Sequence, residues 1–323
     1  MKKIYYIVVV FAILFLAGCG DGIDLPGVNV ETDLNKIPLP DNNVNLEQVE
    51  LKPSTEPMLH EGLHTEEDFQ RIRDKKAAGE EPWVSACQLL VESQFSQKTA
   101  DTYPTEWIKR GVSGDENYMN AARGATIAYQ QALRWKIEQD DEYAAKAVEN
   151  LNKWVQTCVG VTGNTNLSLA AGLYGYEFAI AGELLRDYGG WDRADFAAFQ
   201  NWLLKVFYPA NDDFLKRHHD TNALHYWANW CLCNIAAKMA IGIVTDRRDI
   251  YNEGIDHLQT GDTNGRLRRA IYHDYAPDYN FAQWQESGRD QGHTLMCVGL
   301  MGVICQLAWS QGDDFFAYDD NLF

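Results

Sequence analysis

The sequence predicts an all-α protein assembled from helical hairpins, which suggest a toroid or a solenoid of helix pairs. Two stretches, 121–154 and 224–258, share one design: an alanine-rich helix, a turn that contains aspartate, and a second helix with an apolar stripe. Helical periodicity also fills 167–207 between them, and few segments alternate with the period of two that is typical of strands. With 323 residues the chain can bury a large core. If the helix pairs close into a ring, the ring leaves a cleft at one end.

Residues 1–18 are expected to be a bacterial lipoprotein signal peptide and not part of the fold. Lys2 and Lys3 precede an apolar run, 4–17, that is too short for a comfortable membrane span. The run ends in a Leu-Ala-Gly-Cys motif at Cys19, where a lipid would anchor the protein to a membrane. The expected location is the outer membrane, facing the periplasm or the cell surface. An ordinary secretory signal with an incidental cysteine is the alternative.

Residues 19–56 are rich in Asn, Asp, Pro and Val, which predicts a flexible tether. The folded domain is expected to cover 57–323. A capping box, Thr65-Glu66-Glu67-Asp68, opens its first helix, which ends at Gly79. The further predicted helical segments are, in order, 121–139, 143–154, 167–186, 194–207, 224–243, 250–258 and the apolar run 295–307.

The composition excludes some classes of function. A net charge of −18 argues against a nucleic-acid binder, which would show a broad basic face. An acidic substrate would need a local basic site, and the candidates are Arg266, Arg268, Arg269 and Arg289. The six cysteines after Cys19 lie in apolar, helix-like runs, so we expect buried free thiols. No cysteine spacing resembles a zinc site, and we expect neither a metal nor another cofactor.

The candidate chemistry is concentrated between His218 and His293, a span that holds six of the eight histidines. A helix that begins near Asn222 would place Asn222, His225 and Asn229 on one face. This polar stripe would face the cleft. The alternative is a capping asparagine and a histidine that faces solvent.

A group of arginines, Arg266, Arg268 and Arg269, comes shortly before Tyr272 and Tyr275. Nearby guanidinium charges favour a phenolate and lower the pKa of a tyrosine from its usual value of about 10. A tyrosine in this setting is a candidate general base. The alternative is a basic loop that pairs with the acidic surface.

Two other segments are candidates for substrate contacts. Polar residues crowd into 283–293, where Arg289 and His293 are four positions apart; this indicates a site rim or a helix start satisfied by its own side chains. Asn164 and Asn166 precede a predicted helix, whose N-terminus would favour an anion, or Asn166 is simply its N-cap.

From about His60 to its C-terminus the chain resembles the alginate lyase superfamily of polysaccharide lyases, whose members fold as (α/α) toroids, and in particular its alginate and glucuronan lyases. The resemblance rests on the entry 63–69 through 78–83, on Tyr226-Trp227-Ala228-Asn229-Trp230, and on Glu286-Ser287-Gly288-Arg289-Asp290-Gln291-Gly292-His293. It implies metal-independent β-elimination of a polyuronate, an acidic polysaccharide. Asparagine, histidine and arginine neutralise the uronate carboxylate, and a tyrosine removes the C5 proton and protonates the departing O4.

Carried onto this chain, the resemblance implies Tyr272 as base and acid, with Tyr275 and His273 in reserve. Arg266 would assist Tyr272 or bind a carboxylate, and Asn222 and Asn166 would hold the carboxylate. In similar enzymes the histidine closely follows an asparagine before the Tyr-Trp pair. Leu224 stands near that place here, so His225 is chosen, with His219 and His218 in reserve. The expected substrate-binding residues are Asn166, His219, Trp227, Tyr275, Arg289 and His293.

Similar enzymes continue beyond the equivalent of 319–321, so the ring is expected to lack its last helices. Two alternatives to a lyase stay open. One is a non-catalytic lipoprotein that binds acidic glycans through residues such as Tyr226 and Trp227. The other is a glycoside hydrolase on the same architecture, which needs two opposed carboxylates and could draw on Glu177, Glu183 or Glu286. The sequence leaves open which uronate is cleaved, endo or exo action, and the oligomeric state.

Overall fold

The computed structural model describes residues 54–275, 282–318 and 323. The predicted signal peptide, Cys19 and most of the predicted tether lie outside these residues. The helices are α1 (Glu66–Ala77), α2 (Trp83–Glu92), α3 (Tyr118–Glu138), α4 (Asp141–Thr157), α5 (Leu167–Leu184), α6 (Arg193–Val206), α7 (Tyr208–Arg217), α8 (Ala228–Val244), α9 (Arg248–Thr260), α10 (Leu267–Ala270) and α11 (Gln291–Ser310). The strands are β1 (Trp107–Arg110), β2 (Gly160–Gly163), β3 (Ile271–Asp274) and β4 (Ala282–Trp284).

Helices α3, α5, α8 and α11 pack side by side in this order and form the inner layer of a ring. The outer helices lie against them: α4 on α3, α7 on α5 and α8, and α9 on α8, while α6 packs on α4 and α7. In α8 every residue except Trp230 is buried, whereas α4 buries one stripe and exposes its other face. The predicted (α/α) toroid is confirmed, and the short strands are additions to it.

Local signals fix several helix starts. The capping box of α1 is present: Asp68 N donates to Thr65 Oγ1 at 3.2 Å, and Thr65 N donates to Asp68 Oδ2 at 3.0 Å. The aspartates in the turns serve the same purpose. Asp140 caps α4, Asp192 caps α6 and Asp290 caps α11 through side-chain oxygens that accept backbone N–H groups.

The inner helices all begin at one end of the ring, because an outer helix returns the chain after α3, α5 and α8. We call this end the N-terminal end of the ring. The short strands lie there. β1 pairs in parallel with β2 just before α3 and α5, and β3 pairs with β4 as an antiparallel hairpin just before α11.

The opposite end of the ring is covered by the segment that precedes α1. Gln311, after the end of α11, exchanges two hydrogen bonds with the backbone of Leu59. His60 Nε2 lies 3.0 Å from Asp246 Oδ1, and the buried Arg186 bridges Asp246 and Glu183. A cavity lies under this segment, lined in part by His60, His64, Lys136 and Glu183.

One predicted boundary is wrong in a way that matters for the site. Helix α8 begins at Ala228 and not near Asn222, so Asn222 and His225 lie in the preceding loop and do not share a helical face with Asn229. The reason is local. The backbone is left-handed from His218 to Asp220, which ends the helical path, and Asn222 Oδ1 accepts the N–H of Leu224 at 2.8 Å in a side-chain turn.

The cysteine prediction is confirmed for all six residues after Cys19, which are buried and free. Helix α11 is the one described helix that is long and apolar enough to cross a membrane. It packs against α8 and buries Cys297, Leu300 and Ile304 there, as a core helix of the ring does.

Candidate active site

Three of the predicted site segments meet at the N-terminal end of the ring. Asn264, which is buried, donates from Nδ2 to Leu224 O at 3.1 Å and to Tyr226 O at 2.8 Å. Gln285 Oε1, next to β4, accepts the N–H of Ala228 at 2.8 Å and so caps α8. The loop 221–227, the segment 262–275 and the segment 282–290 are therefore held together by side-chain bonds to backbone groups.

The neighbouring histidines His218, His219 and His225 differ in how they are held. Ser168 Oγ, in the first turn of α5, lies 3.0 Å from His219 Nε2, and the half-buried His219 ring packs 5.7 Å from that of Tyr226. His218 is buried, its Nε2 is 3.6 Å from Cys231 Sγ, and burial lowers its pKa. His225 is exposed, and its ring hydrogen-bonds to none of the described residues. Of the three, His219 is both oriented and accessible.

Tyr272 lies in β3 at an irregularity of the hairpin. Ile271 pairs with Trp284 and His273 with Gln283, so that Tyr272 is the extra residue of a bulge. Such a bulge turns a side chain out of the regular alternation of the strand. The two alternatives to Tyr272, Tyr275 and His273, are in contact with other side chains. Tyr275 Oη donates to Gln283 Oε1 at 3.0 Å, and the His273 and Tyr275 rings are 4.4 Å apart.

The arginines of this segment occupy the turn before β3. Arg266 is the N-cap residue of α10 and is partly buried. It comes two positions after Asn264, whose two hydrogen bonds to the loop 221–227 we call the Asn264 clamp. Arg269 donates from Nη1 to Asp262 O at 2.8 Å. The turn therefore carries its positive charges next to the loop 221–227.

Two expected substrate-binding residues are engaged at the start of α11. Arg289 Nη1 lies 2.7 Å from Glu286 Oε1, and His293 Nδ1 lies 2.7 Å from Asp290 Oδ2. These contacts match the alternative of a helix start satisfied by its own side chains. Trp227, on the loop 221–227, is 50% exposed.

The start of α5 also lies at the N-terminal end of the ring. Asn166 is its N-cap residue, and both Asn166 N and Nδ2 donate to Asn164 Oδ1 at 2.9 Å. Asn164 lies against Gly111, where φ is +79° and a Cβ atom would overlap the asparagine side chain. The end of β1 and the start of α5 are thus in direct contact.

The sequence predictions missed three residues here. Arg110 ends β1, and its guanidinium carbon lies 4.7 Å from the centre of the Tyr118 ring. Tyr118, on α3, stacks with Tyr174, on α5, at a centroid distance of 6.5 Å and an interplanar angle of 9°. The only signal in the sequence was a basic pair, Lys109-Arg110, directly before a glycine.

The carboxylates that a glycoside hydrolase would use are not brought together. Glu183 lies at the far end of α5, about 22 Å along the helix from Ser168, and is paired with Arg186. Glu286 is paired with Arg289. Glu177 lies near Tyr129 and Tyr176 on the inner layer, where burial raises its pKa to about 8. No group of three or more His, Cys, Asp or Glu side chains that could hold a metal occurs among the described residues.

A ring of helical hairpins with amides, imidazoles, tyrosines and arginines at one end defines the class: the chain is a polysaccharide lyase on an (α/α) toroid. The profile of the family described as alginate lyase matches residues 82–322. The chain belongs to the alginate lyase family.

Three solved structures of alginate lyase A1-III have a similar fold. A histidine-to-alanine variant of alginate lyase A1-III complexed with tetrasaccharide has a TM-score of 0.61 and 14% identity, over 82% of this chain and 74% of that one. A tyrosine-to-phenylalanine variant, also complexed with tetrasaccharide, has a TM-score of 0.57 and 13% identity over the same shares. Alginate lyase A1-III from Sphingomonas species A1 has a TM-score of 0.55 and 14% identity, over 82% and 75% of the two chains. No curated protein sequence matches significantly.

Proposed function

We propose that the protein cleaves a polyuronate, alginate or glucuronan, by β-elimination with Tyr272 as base and acid. The observation that supports the proposal is that Asn264 binds the segment 262–275, which carries Arg266 and Tyr272, to the loop 221–227, in a chain of the alginate lyase family. The solved relatives support it, because tetrasaccharide complexes were obtained with a histidine or a tyrosine replaced.

The chemistry requires a carboxylate to be neutralised first. A proton on C5, next to the carboxylate, is a weak acid until fixed donors stabilise the charge that develops when it leaves. Asn222, Arg266 and a histidine would bind that carboxylate. The Tyr272 phenolate then takes the C5 proton, the electrons form the C4–C5 double bond, and the C4–O4 bond breaks. The protonated Tyr272 returns the proton to O4, so the enzyme ends as it began. The resemblance implies that this step needs no metal.

The histidine of this mechanism is His219 or His225. His219 has the better support, because Ser168 orients its ring and its surface is only partly exposed. His225 would have to turn from solvent towards the substrate. Asn166, Trp227 and Tyr275 would contact neighbouring sugars, whereas Arg289 and His293 would first have to exchange their carboxylate partners.

The test is the ultraviolet absorbance of the unsaturated product. Polymannuronate, polyguluronate and glucuronan are offered separately to the mature chain and to Tyr272→Phe, with both proteins shown to be folded by circular dichroism. We expect product from one or more polymers and a loss of about 10²–10⁴-fold in the variant. Equal rates in the two folded proteins would remove Tyr272 from the mechanism.

A second candidate function, glycan binding without cleavage, is favoured by one observation. Leu224, half exposed in the loop 221–227, stands near the place where similar enzymes carry the catalytic histidine. A binding protein would give no unsaturated product from any of the three polymers, yet would retain a Tyr272-independent affinity for one of them.

We also propose that the protein is an exported lipoprotein that meets its polymer at the outer membrane. The Leu-Ala-Gly-Cys motif at Cys19 supports this location. Labelled fatty acid should enter the full chain and not a Cys19→Ser variant; equal labelling of both would contradict it.

A further inference from the structure

Two buried asparagines join three helices beside the serine that orients His219. Asn211, on α7, donates from Nδ2 to Oδ1 of Asn234, on α8, at 2.7 Å. Asn234 Nδ2 donates in turn to Trp230 O at 2.8 Å and to Ser168 O, on α5, at 3.2 Å. Neither asparagine is accessible to solvent. A chain of hydrogen bonds therefore runs from α7 through α8 to the first turn of α5.

Helices α5 and α8 approach each other closely at this point. Gly172 follows Ser168 by about one helical turn. A Cβ atom on Gly172 would lie 2.5 Å from Cys233 Sγ and 2.9 Å from the backbone carbon of Cys233, closer than real Cβ atoms lie to their neighbours. The glycine therefore permits a distance between the two backbones at which the Asn234 amide reaches the Ser168 carbonyl oxygen.

These amides lie in a core that apolar side chains could fill. The buried residues of α8 are mostly apolar. Asn211 Oδ1 is buried and accepts no hydrogen bond from the described residues, which lowers the stability of the fold. What an amide adds, and an apolar side chain does not, is direction. A buried hydrogen-bonded pair holds the helices that it joins in one arrangement.

The residue that needs a fixed arrangement is His219. His218, His219 and Asp220 have φ values of 48°, 51° and 59°, in the left-handed region that residues with a Cβ atom seldom adopt. Such a turn persists where its surroundings hold it. Ser168 Oγ, 3.0 Å from His219 Nε2, is a contact from outside the turn. Because Ser168 is buried in the first turn of α5, its Oγ is placed by the backbone that Asn234 binds.

We propose that Asn234 is a positioning residue for His219, which holds the first turn of α5 where the Ser168 hydroxyl meets the imidazole. Asn211 fixes the orientation of the Asn234 amide by donating to its oxygen. The inference rests on the proposed function, in which His219 takes part in cleavage. Asn234 is wholly buried and does not touch the substrate, so its loss should act on cleavage through the imidazole alone.

The direct test observes the His219 ring by nuclear magnetic resonance, in protein labelled with ¹⁵N at its histidines. Asn234→Leu combined with Asn211→Ala removes both amides and leaves room for the new methyl groups, so this double variant should fold with little loss of stability. The Nε2 signal of His219 is identified by its absence in His219→Gln. In the double variant it should move towards the position that it has in Ser168→Ala, where the hydrogen bond is lost.

The matched control is a second buried amide pair. Asn150, on α4, donates from Nδ2 to Oε1 of Gln131, on α3, at 2.9 Å, and both residues are inaccessible to solvent. Asn150→Leu combined with Gln131→Ala removes the same kind of contact and should leave the His219 signal unmoved. Thermal unfolding verifies the fold of each variant.

Initial rates of polyuronate cleavage provide the second readout. The double variant at Asn234 and Asn211 should lower kcat at least about threefold, as for the loss of one hydrogen bond. In a Ser168→Ala background the same two substitutions should cause no further loss of kcat, because no hydroxyl is left to position. A defect that acts by another route would lower kcat by the same factor in both backgrounds.

The outcomes separate this inference from the proposed function. An unmoved His219 signal in the double variant, an equal movement in the control, or equal losses of kcat in the two backgrounds would overturn the inference, while product formation by the wild type upholds the proposed function. If the wild type forms no unsaturated product, the proposed function fails, and the His219 signal still decides whether the two amides hold the ring.

Discussion

At the scale of single residues, the orientation of a histidine depends on a partner distant in sequence. Ser168 meets His219 across 51 positions, and nothing in the spacing of the histidines announces it. The residue types of the candidate site and the part of the chain that carries them could be predicted from the sequence, since imidazoles, tyrosines and arginines are concentrated between His218 and His293. The choice among the histidines could not, because it depends on how α5 packs against the turn after α7.

His219 and His225 can be separated by substitution. If His219 is the catalytic histidine, His219→Ala should lower kcat for polyuronate cleavage by about 10²–10³-fold, since it removes a donor that would stabilise the developing charge. His225→Ala should change kcat by less than about tenfold, because the side chain is exposed. Ser168→Ala keeps His219 but removes its hydrogen bond, so its kcat should lie between those of the two histidine variants. The measurement is the initial rate of each variant at saturating substrate. A larger loss of kcat in His225→Ala than in His219→Ala would identify His225 as the catalytic histidine.

At the scale of elements, most of the long helices were predictable, whereas α2, α7, α10 and the loops between the helices were not. Thr65 and Asp140 act within three residues of themselves, so their capping signals are visible in the sequence. The start of α8 is also capped by Gln285, 57 positions later, a partner that the residues around Asn222 do not reveal. The pairing of β1 with β2 joins two four-residue segments about 50 positions apart, a distance at which short strands leave no readable pattern.

The Asn264 clamp should matter more for activity than for stability. Asn264→Ala leaves the carbonyls of Leu224 and Tyr226 without their donor and should lower the free energy of unfolding by about 1–3 kcal/mol. Because the clamp fixes the loop 221–227, kcat/KM should fall at least about tenfold under conditions where the variant is folded.

Asn252→Ala is the control for that experiment. Asn252 donates to Ser54 O at 2.9 Å from α9, in the segment that covers the opposite end of the ring. Its loss should cost stability without a change in kcat/KM. Urea unfolding and initial rates are measured on both variants, and equal kcat/KM values for Asn264→Ala and the wild type would show that the loop does not need the clamp.

At the scale of the whole molecule, the two ends of the ring have different tasks. The N-terminal end gathers donors and cations from strands and loops, and the opposite end is closed by the segment before α1 and by the Arg186 ion pairs. Between them, the inner helices carry ionisable side chains that are buried or partly buried. Glu177 is the one with a consequence near neutral pH, since burial raises its pKa to about 8.

The sign of its effect follows from proton binding. In the unfolded chain Glu177 loses its proton near pH 4.5, whereas in the folded protein it keeps the proton until about pH 8. Between these values the folded state holds one more proton, so stability falls as the pH rises and levels off above pH 8. His64, His218 and His257, whose pKa values burial lowers, act in the opposite direction, and their effect fades within about one pH unit above their ordinary value of 6.5. Glu177 therefore dominates the window from about pH 7.5 to 8.

In that window the free energy of unfolding of the wild type should fall by at most about 1.4 kcal/mol per pH unit, the value for one proton. Glu177→Gln keeps the shape of the neutral side chain and cannot ionise, so its profile should be flat there and should cross above that of the wild type as the pH rises. Urea titrations at both ends of the window give the two slopes. His257→Gln, which removes a group that titrates only below the window, should keep the wild-type slope. A slope in Glu177→Gln equal to that of the wild type would mean that the carboxyl is ionised in the folded ring at neutral pH.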